Sequence, residues 1–121
     1  LPGWDGELVS EYGNPWVPKG KSFWELTCEA NVTEKANRDY DKRTKKTPEA
    51  IRTTATLVMV SARRWNGKSK WLRTKRNAGE WGEVRAYDAD DLEQWLEQTP
   101  AVALQFVVKH APPPSRPAGQ A

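Results

Sequence analysis

The order of apolar and polar residues predicts two strands followed by alternating helices and strands. Four segments rich in β-branched or aromatic residues predict strands at positions 7–11, 22–29, 53–62 and 83–87. Helical spacing predicts helices at 33–46, 68–77 and 90–100, and an apolar run predicts one more at 101–109. This order predicts an α/β (α+β) domain in which helices flank a mixed sheet of about four strands.

The second predicted strand carries a carboxylate at an unusual place. Its alternation puts Phe23, Glu25, Thr27 and Glu29 on one face and Trp24, Leu26 and Cys28 on the other. Because both faces carry apolar side chains, we expect this strand to be central in the sheet. Glu25 is then half-buried, and a buried carboxylate needs either a partner or a function.

Helix boundaries follow from capping residues. Thr33 is the predicted N-cap of the first helix, and Pro48 ends it because the residue before a proline disfavours the α conformation. Gly79 lies beyond the end of the helix at 68–77. Asp90 is the predicted N-cap of the next helix, with Glu93 at the third helical position.

Composition limits the class of protein. The 121 residues are the size of one domain, which we place at 1–110, before a proline-rich linker or disordered tail at 111–121. No apolar run approaches the ~20 residues that span a bilayer, so we expect no membrane partner. The chain begins at Leu1 rather than methionine, which indicates a segment of a longer protein.

The chain has one cysteine, Cys28, and one histidine, His110. Cys28 cannot form an intramolecular disulfide, which favours a reducing, cytoplasmic location. One cysteine and one histidine cannot build a zinc site, and His110 lies near the tail without a catalytic partner. Any hydrolytic chemistry must therefore rest on carboxylates and lysines.

Charge is divided unevenly along the chain. Seven lysines and arginines and no acid lie in 63–76, whereas 80–97 has seven acids and Arg85 as its one base. Such a basic block is suited to binding phosphates, although a solvated helix and loop would have the same composition. The predicted nucleic-acid-binding residues are Arg63, Arg64, Trp65, Lys68, Lys70, Arg73, Lys75 and Arg76.

Two carboxylates are suited to metal-assisted phosphodiester hydrolysis. Asp5 precedes the first strand between two glycines, and Glu25 lies in the second strand, which we expect to pair with the first. A Mg²⁺ ion held by one or two carboxylates activates water and neutralises charge on the phosphate. Asp5 has the alternative role of capping a turn.

Five segments together resemble a bacterial restriction-endonuclease-like domain similar to Mrr-type nucleases. They are PGWDG, NPWVPKGKSFWELTCE, EKANRDYDKRT, TTATLVMVSARRW and VRAYDADDLEQWLE, and they cover nearly the whole chain up to Lys109. This domain occurs at the N-terminus of large multidomain proteins, some of which carry NTPase regions. The resemblance implies a restriction-endonuclease-like core and maps the metal-binding residues of the PD-(D/E)xK pattern onto Asp5 and Glu25.

The sequence departs from that pattern at Thr27, which stands where the pattern places a lysine. The lysine of this fold class can lie on the following helix instead, where Lys35 is the better candidate and Arg38 the weaker one. Glu29 is a candidate further metal ligand. The predicted site therefore has Asp5, Glu25 and Lys35 as catalytic residues, and Asp5, Glu25 and Glu29 as ligands of Mg²⁺ or Mn²⁺.

Three functions are consistent with these features. The first is a metal-dependent endodeoxyribonuclease module of bacterial restriction or anti-phage defence, acting on double-stranded DNA as the resemblance implies. The second is a catalytically degenerate module of the same fold that binds DNA or a protein partner. The third is a protein-interaction domain, in which the acidic helix at 90–97 and the apolar segment at 101–108 dock on another domain of a larger polypeptide or on a second copy in a homodimer.

Overall fold

A computed structural model describes residues 4–98 of the chain, with side chains from residue 6 onward. Within that range the elements are β1 (Trp4–Ser10), β2 (Gly20–Thr27), α1 (Val32–Lys46), α2 (Glu49–Arg52), β3 (Thr56–Ser61), α3 (Lys68–Ala78), β4 (Glu83–Tyr87) and α4 (Ala89–Gln98). The helix predicted at 101–109 and the tail at 111–121 lie outside the described residues. None of the described helices has the length and apolar character needed to cross a membrane.

The four strands form one mixed sheet in the order β1-β2-β3-β4. β1 pairs with β2 in antiparallel fashion, whereas β2–β3 and β3–β4 are parallel pairs. The two parallel pairs are connected through α1 and α3, as parallel neighbours require a crossover. The α+β class and the mixed four-strand sheet predicted from the sequence are therefore confirmed.

The face of the sheet that α1 and α3 cover holds the larger core. Its members include Phe23, Leu57, Met59 and Val84 from the strands and Ala36, Tyr40 and Trp71 from the helices. Three buried indoles there donate their N–H groups to α1 at 2.9 Å: Trp65 to Thr33 Oγ1, Trp71 to Asn37 Oδ1 and Trp81 to Thr44 Oγ1. Each buried indole thus has the hydrogen-bond partner that it needs.

The opposite face is covered by α4 and by the connection between β1 and β2. Trp16 in this connection stacks on Trp95 of α4, with the ring centroids 5.5 Å apart and the planes at 2°. Asn14 Oδ1 accepts hydrogen bonds from the backbone N–H groups of Trp16 and Val17 at 2.8 and 2.7 Å. The Tyr87 hydroxyl donates to the Trp16 carbonyl at 2.8 Å, so this connection is part of the core.

Two predicted N-caps are wrong. Asn31 rather than Thr33 caps α1, with its Oδ1 accepting from the Glu34 amide at 3.3 Å, because the Thr33 hydroxyl accepts from Trp65. Asp88 rather than Asp90 caps α4: Asp88 Oδ1 accepts from the Asp91 amide, and Asp91 Oδ2 accepts from the Asp88 amide. This reciprocal pair is a capping box.

Strand and helix bounds differ from the predictions at several ends. β1 begins at Trp4, three residues early, β2 ends at Thr27 and β3 begins at Thr56. The short helix α2 and a turn occupy the positions before β3, because the hydroxyls of Thr53 and Thr54 bond to carbonyls of α2. β4 matches its prediction, and Gly79 ends α3 in the left-handed conformation at φ 65°.

The buried carboxylate of Asp88 links the start of α4 to the chain before α3. Its oxygens accept from the backbone N–H groups of Trp65 at 3.1 Å and Asp91 at 3.2 Å, and Lys68 Nζ lies 3.7 Å away. Burial opposes ionisation, but these hydrogen bonds and the lysine outweigh it and hold the pKa of Asp88 below its ordinary value. Asp88 therefore stabilises the fold in its ionised form.

We predict that Asp88→Ala lowers the free energy of unfolding by about 2 kcal/mol at pH 7, because it removes the cap and leaves two amides unpaired. Asp88→Asn removes the charge and keeps one of the two acceptor oxygens that Trp65 and Asp91 use. Since the folded-state pKa is lowered, the stability difference between the wild type and Asp88→Asn is present above about pH 4 and shrinks as the pH falls further. Urea denaturation across this range measures both effects. Asp90→Ala is the control, and an equal loss in that variant would contradict the assignment.

Candidate functional site

Three charged residues of α1 recur at four-residue intervals and lie along one side of the helix. They are Lys35, Asp39 and Arg43, and Arg43 reaches Glu25 of β2. Their side chains are only 11–15% exposed, as is that of Glu25. We call these four residues the charged cluster. Four nearly buried charges along one side of α1 are costly to desolvate, which makes this the strongest candidate site in the described residues.

The charged cluster is organised as two ion pairs. Lys35 Nζ lies 2.6 Å from Asp39 Oδ1, and Arg43 Nε lies 2.9 Å from Glu25 Oε1. The Arg43 guanidinium also lies 5.5 Å from the centroid of the Phe23 ring. The carboxylate that the sequence places in mid-strand thus has a counter-charge on α1.

One oxygen of the charged cluster lacks a hydrogen bond. Asp39 Oδ2 is buried and has no partner in the described part of the chain. An unsatisfied buried polar atom costs about 1–3 kcal/mol, and more where the group is charged, so such an atom calls for a specific reason. A carboxylate oxygen of this kind is a suitable ligand for a hard cation.

The sheet register brings the two predicted metal-binding positions together. Asp5 and Glu25 are direct partners in the antiparallel β1–β2 ladder, and Glu25 is also paired with Met59 of β3. The side chain of Asp5 is outside the described residues. The backbone nevertheless places the two residues on adjacent strands at the same level, as the predicted hairpin requires.

Glu29 does not belong to the charged cluster. β2 ends at Thr27, so the prediction that Glu29 continues the strand on the same face as Glu25 is wrong. The Glu29 side chain is 42% exposed and accepts a hydrogen bond from Arg38 Nη2 at 2.8 Å. Thr27, at the usual lysine position, is buried, and its hydroxyl accepts from the Glu29 amide at 3.1 Å.

The carboxylates near Glu25 determine whether a divalent cation could bind at the candidate site. Among residues with described side chains, no three His, Cys, Asp or Glu side chains are grouped closely enough to hold a metal. Glu25 and Asp39 provide two carboxylates against the charges of Lys35 and Arg43, so these four residues are together neutral. Asp5 would add a third carboxylate at the ladder position next to Glu25. A Mg²⁺ or Mn²⁺ site here would therefore need the Asp5 carboxylate beside that of Glu25.

Most cations of the basic block at 63–76 are engaged within the protein. Arg63 donates to the Cys28 carbonyl at 2.5 Å, Arg64 lies 3.5 Å from Asp90, Lys68 pairs with Asp88 and Asp91, Lys75 lies over the Tyr40 ring, and Arg76 donates to the Val84 carbonyl at 3.0 Å. Lys70 and Arg73 are exposed and form no ion pair with the described residues.

Trp65 is a core residue. Its exposed fraction is 4%, its N–H group is bonded to Thr33, and its ring lies 5.0 Å from that of Trp71. The prediction that Trp65 binds nucleic acid is therefore corrected, because its side chain is buried in the core. The chain between β3 and α3 instead uses this indole to join α3 to α1.

Neither Arg43 nor Asp39 was identified from the sequence as a member of the site. The sequence does contain a pattern that indicates both residues. Lys35, Asp39 and Arg43 are spaced four residues apart and alternate in charge, which places them on one side of a helix. Spacing does not reveal which side of the helix is buried, and the packing of α1 determines that.

We predict that Arg43→Met lowers the free energy of unfolding by about 3–5 kcal/mol, because it leaves the Glu25 carboxylate buried without this partner. Adding Glu25→Gln should recover part of that loss, which a double-mutant cycle measures. The exposed pair Arg38–Glu29 is the matched control, with a coupling energy of about 0.5 kcal/mol or less. Equal coupling in the two pairs would contradict the buried assignment.

Comparisons with known proteins assign no family to this chain. No protein-family model matches the sequence, and neither the curated proteins nor the solved structures give a significant match.

Proposed function

We propose that the chain is a metal-dependent endodeoxyribonuclease module that hydrolyses phosphodiester bonds of DNA. The observation that carries the proposal is the charged cluster, which lies between α1 and the strand position where Asp5 and Glu25 are paired. Nearly buried carboxylates and cations supply the ligands and the counter-charges that metal-assisted hydrolysis of a phosphodiester needs.

Each residue of the charged cluster has a role in this proposal. Glu25 and Asp5 would hold the divalent cation, which when bound supplies an activated water and stabilises charge on the phosphate. Lys35 replaces the lysine that is absent at Thr27, and its ammonium group neutralises charge on the scissile phosphate. Asp39 positions Lys35 through the 2.6 Å contact. Arg43 holds Glu25 in place before the cation binds.

The wider assignment rests on the sequence resemblance. A mixed sheet with β1 and β2 antiparallel and the later strands parallel is compatible with a restriction-endonuclease-like core. The resemblance further supports double-stranded DNA as the substrate and a role in restriction or anti-phage defence within a larger polypeptide.

A second candidate is a module that keeps the fold and binds DNA or a protein partner without cleavage. The specific observation in its favour is that Arg43 already bonds to Glu25 Oε1, where a metal-dependent enzyme needs a free carboxylate oxygen. Thr27 at the lysine position points in the same direction. In that case the charged cluster is a structural device.

Plasmid nicking in Mg²⁺ and in Mn²⁺, compared with EDTA, tests the two candidates. We expect metal-dependent nicking by the wild type, and a loss of about 100-fold or more in Glu25→Gln and in Lys35→Met. Glu29→Gln is the matched control, since it changes a carboxylate outside the charged cluster and should retain full activity. Absence of cleavage by every protein, with DNA binding intact, would favour the second candidate.

A further inference from the structure

The two helices on the larger core form a continuous layer. The Tyr40 and Trp71 rings meet edge to face with centroids 6.0 Å apart, and the Trp71 indole bonds to Asn37. The Lys75 ammonium lies 4.6 Å from the Tyr40 centroid. Because α1 and α3 pack directly against each other, their outer sides make one surface.

Among residues 6–98, six exposed lysines and arginines form no side-chain ion pair or hydrogen bond with a described residue. Five of them lie on this surface, and the sixth is Lys19. The cations on the surface are Lys42, Lys45 and Lys46 of α1 and Lys70 and Arg73 of α3. We call these five residues the basic face. The exposed acids nearby are Glu34, which bonds to the Asn31 amide group, and Asp41, so a net positive charge remains.

The helix on the opposite face of the sheet carries acids and no bases. α4 packs there through Trp95, and its acids are Asp90 and Asp91, which pair with Arg64 and Lys68, and the exposed Glu93 and Glu97. Charges separated in this way orient a protein towards a polyanion through its basic side. A uniformly solvated surface would not divide its charges between the two faces.

The basic face adjoins the charged cluster on the same helix. Lys42 precedes Arg43 directly, and Lys46 follows it by three residues, which is about one turn. A strand bound across α1 at these lysines therefore contacts the helix that carries three residues of the charged cluster. The basic face lies on the outer side of that helix, and the charged cluster lies on the side turned towards β2.

We infer that the basic face, which shares only Lys70 and Arg73 with the basic block at 63–76, is the surface that binds the phosphate backbone of DNA. The inference deepens the proposed function and rests on it for the identity of the bound strand. An anionic membrane is disfavoured as the partner, because binding there also needs apolar side chains to insert. Among residues 6–98, the exposed large hydrophobic residues are Val9, Tyr12, Ile51 and Leu96, and none of them lies on α1 or α3.

The test is binding of a short fluorescein-labelled DNA duplex, followed by anisotropy in EDTA so that no cleavage occurs. Lys45→Gln/Arg73→Gln removes two charges from the basic face, and Lys19→Gln/Arg64→Gln removes two from outside it. We expect the first variant to bind about 10-fold more weakly, with a slope of log K against log salt smaller by about 2. The second variant should bind like the wild type.

Three results would overturn the inference: equal losses in the two variants, no binding by the wild type, or binding to phosphatidylserine vesicles but not to DNA. Circular dichroism checks that both variants are folded, which the exposure of all four side chains favours. The nicking assay separates the two proposals. If the wild type binds DNA without cleaving it, and only the basic-face variant loses binding, the nuclease proposal would be disproved and the basic face would stand as the DNA-binding surface.

Discussion

The hydrogen bonds from three indoles to one side of α1 determine how the helix is oriented on the sheet. Thr33, Asn37 and Thr44 accept them at equal distances, and satisfying all three buried N–H groups allows one rotation of α1 about its axis. That rotation turns Lys35, Asp39 and Arg43 towards β2 and leaves Lys42 and Lys45 outside. The candidate site and the basic face therefore depend on where the tryptophans are anchored.

Local patterns were sufficient for the four strands, for α1, α3 and α4 and for their order, but they did not predict the short helix α2. The alternation in β2 placed Phe23 and Glu25 on one face and Trp24 on the other, and the two core clusters have that division. Local patterns failed where a distant residue competes for a group. Thr33 has a good N-cap side chain, but an indole 32 positions away takes its hydroxyl. Trp65 lies in a polar and basic stretch but is buried, because its indole bonds to this hydroxyl and packs against Trp71.

The candidate site was partly predictable. The awkward position of Glu25 indicated a special role, and the register confirmed that it is a neighbour of Asp5. Its ion-pair partner comes from 18 residues further along the chain, and only the packing of α1 reveals it. Glu29 was misplaced because the end of β2 depends on the Thr27 side chain, which bonds to the chain as it leaves the strand. The nuclease activity itself stays a prediction.

The connection between β1 and β2 has a consequence for folding. Its Trp16 and Pro15 backbone and the Trp16 indole bond to Tyr87 and Gln98, across sequence separations of 71 to 82 residues. A hairpin usually closes early because its contacts are local, but this one cannot bury its loop until α4 has formed. We expect the loop and α4 to exchange amide hydrogens as one cooperative unit. On the ribosome, the hairpin that carries Asp5 and Glu25 would complete its packing only after residue 98 has emerged.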